Sequence, residues 1–259
     1  MKLCDTHCHI ALLYQDPIEQ IKVIDDARRA GVEVIISVNT NLPDFFSSYK
    51  NIKNIQNIYH TIGLSPSEVD NPGRDWELDL KEGLSYPNVV AVGEIGLDYF
   101  HKYGDRNSQI EFFIRQLEIA SNYNLPVVIH NREAGEDMKN ILKSKTPHNG
   151  GILHCFSENY QFAKDMIDLG LYISFAGNLT YRNAKNLHEV ALKLPIESIL
   201  IETDSPFLTP HTYRGKRNQP AYLVETANFL SELRGIPAEE LCEILYNNSL
   251  RAFNITYSD

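Results

Sequence analysis

Eight short runs rich in β-branched residues alternate along the chain with longer amphipathic stretches, and this alternation restricts the fold more than any other feature. The strand candidates are residues 2–8, 32–38, 58–62, 89–93, 127–130, 151–154, 172–174 and 198–202. Helices are predicted near 17–30, 43–53, 75–84, 107–124, 134–144, 159–169, 183–193 and 220–234, with an additional one near 238–253. Asp16-Pro17 supports the first of these helices, since Asp can cap it and Pro suits its first position. Repeated strand-then-helix units build a parallel sheet, because each parallel crossover must carry the chain back along the sheet. Eight units in 259 residues have the size of an α/β (β/α)8 TIM barrel, a single domain over 1–259 with an extra C-terminal helix. No Pro/Gly/Ser-rich linker divides the chain. A doubly wound open sheet is the main competitor, but no G-x-G-x-x-G or G-x-x-x-x-G-K-[ST] follows the first strand.

Barrel enzymes build their sites where the strands end, so the residue types finishing each run matter most. The first run carries Asp5-Thr6-His7-Cys8-His9. Alternation in a strand sends Asp5, His7 and His9 to one face, with the two imidazoles about 5 to 7 Å apart. Neutral ring nitrogens so placed can hold a divalent ion, although a hydrogen-bonded pair of core histidines would leave the same pattern. Further along, Glu94 follows an apolar run, His130 and His154 finish two more, and Asp204 closes Ile199-Leu-Ile-Glu-Thr-Asp204. Any one of these is an ordinary polar residue at a strand end. Their recurrence at one predicted rim indicates a metal centre of His7, His9, Glu94, His130, His154 and Asp204. Four histidines and two carboxylates exceed the needs of one tetrahedral ion, so two divalent metals are expected, with Glu94 as the bridging carboxylate. Imidazole ligands favour Zn, Mn or iron over Mg, although Mg also serves enzymes of this kind.

A net charge of −10 argues against broad electrostatic binding of nucleic acid or membrane, yet leaves room for a nuclease whose metals supply local positive charge. The opening MKLCDTHCHI does not read as a signal peptide, and no apolar stretch reaches the length of a membrane span. Cys4, Cys8, Cys155 and Cys242 form no C-x-x-C pair and read as free thiols of a cytoplasmic protein.

D-x-H-x-H at Asp5–His9, G-E-I-G-L-D at Gly93–Asp98, His130 with Arg132 two residues on, H-C-F from His154 and E-T-D-S-P-F-L from Glu202 together resemble the TatD family of metal-dependent deoxyribonucleases. The resemblance runs from Asp5 to about Phe253. It implies a TIM barrel of the amidohydrolase type, hydrolysis of DNA phosphodiesters with divalent metal, and trimming of single strands from the 3′ end. By position, the family's metal-binding residues fall on the same six side chains. Two departures stand out. The family usually has histidine where Ser65 stands, in a G-x-H-P turn near the substrate, and an acidic residue before the proline where Arg214-Gly-Lys-Arg217-Asn218-Gln219-Pro220 has Gln219. Both leave the metal ligands intact and bear on substrate contact.

The expected chemistry is attack by a cation-activated water on a DNA phosphodiester, with Asp204 accepting the proton. The competing role for Asp204 is that of ligand alone. Arg132, Arg214 and Arg217 are candidates to bind phosphate, with Ser65 and Asn218 nearby in sequence logic, because a guanidinium matches two phosphate oxygens at once. Surface ion pairs are the plainer reading of these arginines. Tyr99, Phe100 and Tyr103 follow the fourth strand, where rings can stack on unpaired bases or simply pack. A monomer acting on single-stranded DNA or 3′ ends, with no membrane partner, is the expected setting. The alternative is an amidohydrolase or esterase acting on a C–N or ester bond, since the same metals can activate water against a carbonyl. Many binuclear relatives bridge their ions with a carboxylated lysine on the fourth strand; here Glu94 takes that position.

Overall fold

The computed structural model describes residues 2–256, so the domain expected over 1–259 extends at both ends past the described residues. β1 (Leu3–Cys8) leads through a short helix α1 (Ile10–Leu13) into α2 (Pro17–Arg29). The next units pair β2 (Val32–Ser37) with α3 (Leu42–Ile52), β3 (Ile58–Ile62) with α4 (Trp76–Gly83), and β4 (Val89–Asp98) with α5 (Arg106–Asn122). They are followed by β5 (Val127–Arg132) with α6 (Gly135–Ser144), β6 (Gly151–Leu153) with α7 (Tyr160–Asp168), and β7 (Leu171–Phe175) with α8 (Lys185–Lys193). β8 (Ile199–Ile201) and α9 (Leu223–Arg234) complete the set, and α10 (Ala238–Ala252) is the expected extra helix.

All seven neighbouring pairs are parallel, and the strands run in chain order around the sheet. The ring closes between β1 and the end of β8. Cys8 bridges Ser205, the Asp204 N–H donates to His7 O at 2.9 Å, and the His9 N–H donates to Ser205 O at 2.8 Å. The Asp5 carboxylate fastens the same seam by accepting from the Thr203 N–H at 2.9 Å and its hydroxyl at 2.6 Å. The chain is therefore a TIM barrel.

Alternation of side chains divides the apolar residues into two clusters. The larger lies between the ring and its helices; the smaller holds Cys4, Val34, Ile36, Ala91, Val128, Ile152 and Leu200 from the strands, joined by Tyr246, Ala252 and Phe253 of the C-terminal segment. α10 thus plugs the end of the barrel away from the strand ends. Helix starts follow local chemistry: Asp16, Asn41, Asp105 and Asn159 each accept a backbone N–H of the first turn, and Pro17 and Pro43 occupy early positions where no N–H is needed. Among the described residues no helix is long and apolar enough to cross a membrane.

The strand predictions differ from the structure chiefly at β4, which continues from Val89 to Asp98 instead of stopping at Gly93. Glu94 consequently lies within the strand, where pairing with β5 is irregular between Val92 and Ile95. An irregularity of this kind re-aims a side chain. Gly96 is required beside it: its φ of +148° is in the region glycine alone tolerates, and a Cβ there would fall 2.0 Å from His130 O. His9, read as part of the first strand, stands just beyond Cys8 at the start of α1.

Candidate metal centre

Six side chains from five strand ends meet at one mouth of the barrel. His7 and His9 bring their Nε2 atoms within 3.2 Å of each other, and Asp204 Oδ1 lies 3.8 and 3.3 Å from them. Across the mouth, His130 Nδ1 and His154 Nε2 are 3.2 Å apart. Glu94 stands between the two pairs. Its Oε1 is 2.8 Å from His130 Nδ1 and 3.2 Å from His154 Nε2, while its Oε2 is 3.5 and 3.8 Å from His7 and His9. His7, His9, Glu94, His154 and Asp204 are all buried, and His130 is partly open.

A second layer of acceptors turns the rings. His154 Nδ1 lies 3.3 Å from Glu202 Oε1, which also accepts the Cys155 N–H at 2.8 Å, leaving Nε2 to face Glu94. His130 Nε2 lies 3.1 Å from Asp98 Oδ2, an oxygen shared with His101 Nδ1 at 2.8 Å. His9 Nδ1 lies 3.1 Å from Val38 O. Histidine ligands usually donate their second nitrogen in this manner, which selects the tautomer and raises ligand basicity. Asp98 and Glu202 were not singled out from the sequence. Both lie inside the motifs G-E-I-G-L-D and E-T-D, but an acid that binds and an acid that orients look alike until the strands are placed.

The donor set fits divalent cations. Histidine nitrogens facing each other at 3.2 Å present lone pairs that only a proton or a cation can reconcile, and His7 Nδ1 and Glu202 Oε2 are buried without a partner. Ligand atoms lie within 4.8 Å of one another in three groups: His7, His9 and Asp204; Glu94, His130 and His154; and His7, His154 and Glu202. The electrostatics agree. Burial alone would raise the Glu94 carboxyl, yet His154, His130 and His7 hold it well below the ordinary carboxylate range. Burial likewise opposes ionisation of Asp204, but His9, His7 and His154 bring its pKa down. Burial and the neighbouring His154 lower His7, which keeps that imidazole neutral. Burial opposes charge on His9, His130 and His154 as well, yet Asp204, Asp98, Glu94 and Glu202 raise all three, so the carboxylates of the cluster draw positive charge to the mouth. The Cys8 and Cys155 thiols are pushed well above their usual value by burial and stay protonated.

The predicted substrate contacts are distributed around this mouth and engage other partners. Ser65 Oγ lies 2.8 Å from Ser67 Oγ, and its N–H donates to Thr40 O. Arg132 holds its guanidinium 4.3 Å from the centre of the Phe100 ring, Arg214 stands 5.2 Å from that of Tyr181, and Arg217 stands 5.2 Å from that of Tyr14 while donating to Leu12 O at 2.6 Å. All three arginines are exposed. Asn218 is fully buried and donates to Thr203 O and Phe207 O, pinning the loop after β8. Tyr99 donates its hydroxyl to Asp137, and Tyr103 stacks on His101 with centroids 5.4 Å apart.

Comparison with known proteins bears on the fold and the family. YabD of Bacillus subtilis (strain 168), an uncharacterized metal-dependent hydrolase, is 38% identical over 255 residues, covering 98% of this chain and 99% of its own. YcfH of Escherichia coli (strain K12), described in the same words, is 37% identical over 263 residues, covering 100% of this chain and 98% of its own. The crystal structure of YjjV, a TatD homolog from Escherichia coli K12, superposes with a TM-score of 0.90 at 32% identity and 98% coverage of both chains. Residues 4–254 match the family model described as TatD related DNase, and the chain belongs to this family of metal-dependent hydrolases.

Proposed function

We propose that the protein hydrolyses DNA phosphodiester bonds with two divalent cations, removing nucleotides from single strands at their 3′ ends. The observation that carries this reading is the division of Glu94 between two histidine pairs, one carboxylate oxygen facing each. A carboxylate so placed is the usual means of holding two ions ~3.5–4 Å apart, and paired ions at that spacing suit in-line displacement at phosphorus. When bound, the cations neutralise charge on the phosphoryl oxygens and make water a stronger acid. The chain's own groups do the rest. Asp204, ionised beside His9, accepts the proton from the attacking water. Glu202 and Asp98 keep His154 and His130 in one tautomer through the cycle. Arg132, Arg214 and Arg217 at the rim supply donors for phosphates beyond the scissile one. Imidazole-rich coordination favours Zn or Mn over Mg.

The test is to incubate metal-loaded protein with end-labelled single-stranded DNA and, separately, with a panel of amides and esters. Release of nucleotides from the 3′ end, abolished by chelator, is expected. Hydrolysis of an amide or ester with the DNA left intact would replace this reading with that of an amidohydrolase.

A further inference from the structure

Of the eleven phenylalanines in the chain, two stand about half in solvent among the described residues: Phe100 at 49% and Phe207 at 52%. Both project from the mouth that carries the metal centre, Phe100 in the turn after β4 and Phe207 in the loop after β8. In a closed ring of eight strands taken in order, β4 and β8 lie diametrically opposite. The two residues therefore leave the mouth on opposite sides, Phe207 beside His9 and Phe100 beside His101.

Neither ring is left out by a floppy backbone. The Phe207 N–H donates to Asp204 O at 2.9 Å, and its carbonyl accepts from the buried Asn218 Nδ2 at 2.5 Å. Its ring lies edge to face with that of His9, centroids 6.0 Å apart at 72°. The Phe100 ring meets that of His101 at 4.9 Å and 89°, and His101 is tied to Asp98. The Arg132 guanidinium stands 4.3 Å from the Phe100 centroid, a distance suited to a cation over an aromatic face. Exposure alone does not mark these two, since Ile18 and Leu78 are more exposed still; what sets the rings apart is that both are flat and both are fixed beside the centre, Phe207 against a ring of the donor set.

We infer that Phe100 and Phe207 are stacking platforms for the two bases on either side of the scissile phosphate of an unpaired DNA strand. This rests on the phosphodiester reading above and adds how the strand is gripped. Every base offers a flat π-face, so ring stacking selects nucleic acid without selecting sequence. A duplex keeps its bases stacked on one another and cannot give one to each side of the mouth. An unpaired strand can splay two neighbours apart, which presents the phosphate between them to the metal centre. The base takes the face of Phe100 that Arg132 does not cover, and the guanidinium then lies next to the phosphate on that side.

The experiment uses metal-loaded protein and a single-stranded DNA oligonucleotide with a base, or an abasic residue, on one or the other side of the cleaved junction. Wild type is expected to lose about tenfold in kcat/KM for each abasic substitution. Phe207→Ala is expected to lose about tenfold on the intact strand, with no further loss when the base on its own side is absent and the usual loss when the other base is absent. Phe100→Ala is expected to show the mirror pattern, and Phe207→Trp to restore the intact-strand rate. Equal cleavage of intact and abasic strands by wild type, or losses that multiply on the same side, would overturn the platforms while leaving the phosphodiester reading in place. Wild-type protein that cleaves an amide or ester but no DNA would overturn both.

Discussion

Asp98 Oδ2 lies 3.1 Å from His130 Nε2, and this contact turns the opposite nitrogen of the ring to within 2.8 Å of Glu94 Oε1. The carboxyl is kept ionised: burial opposes this, but His130 and His101 hold its pKa far below the ordinary carboxylate value. Asp98→Ala is expected to weaken metal binding by about 10- to 100-fold, the usual effect of removing such a partner. Competition with a chromophoric chelator measures it, and wild-type affinity in the variant would show that the contact does not orient the ring.

Asp204→Asn keeps the shape of the side chain and removes its capacity to take a proton. Turnover is expected to fall by about 100- to 10,000-fold, with metal content falling much less. Metal analysis beside single-turnover rates separates the two roles of the residue. Loss of metal in proportion to activity would make Asp204 a ligand only, and full metal with full activity would remove it from the mechanism.

The donor set should also register in stability. A cation that binds only the folded chain adds about 2.7 kcal/mol when present at one hundred times its Kd. For a chain of this size that corresponds to a rise in Tm of about 5 to 10 °C. Thermal unfolding after chelator treatment, and again after Zn or Mn is restored, is expected to show a shift of that order. A Tm indifferent to metal would contradict the centre.

Away from the mouth, His60 on the outer face of β3 is fully buried under α3, with the rings of Tyr49 and Phe45 centred 5.0 and 6.3 Å away and neither of its nitrogens bonded. Burial pushes its pKa down to about 4 from 6.5. The unfolded chain takes up the proton first, so stability is full above about pH 6.5 and declines as pH falls toward 4. The gap corresponds to roughly 3 kcal/mol lost at pH 4 and below. His60→Phe is expected to flatten that part of the stability profile in urea titrations. An unchanged slope would mean the ring is hydrated in solution.

The order and number of strands and helices were legible because β-branched runs and capped amphipathic stretches state them locally. The end of β4 was not. Gly93-Glu-Ile-Gly-Leu-Asp98 has the composition of a turn, and only the inside of a barrel, where glycines admit close neighbours and acids face a cavity, makes it a strand. Of the centre, the six candidate donors stand out by type and place: His7 and His9 alternate along the first strand, and Glu94, His130, His154 and Asp204 come at the close of apolar runs. Asp98, Glu202 and the seam-fastening Asp5 could not be told from them. Their work depends on which oxygen meets which nitrogen across strands far apart in the chain.

The joint between the first and last strands has a consequence for synthesis. His7 and His9 belong to the first nine residues, and Asp204 arrives almost two hundred residues later on the segment that seals the ring against them. An emerging polypeptide therefore carries an incomplete and inert set of donors until the final strand docks. Fragments ending before residue 199 are expected to show no chelator-sensitive hydrolysis. On the ribosome, this metal-dependent hydrolase becomes armed only when its own architecture is finished.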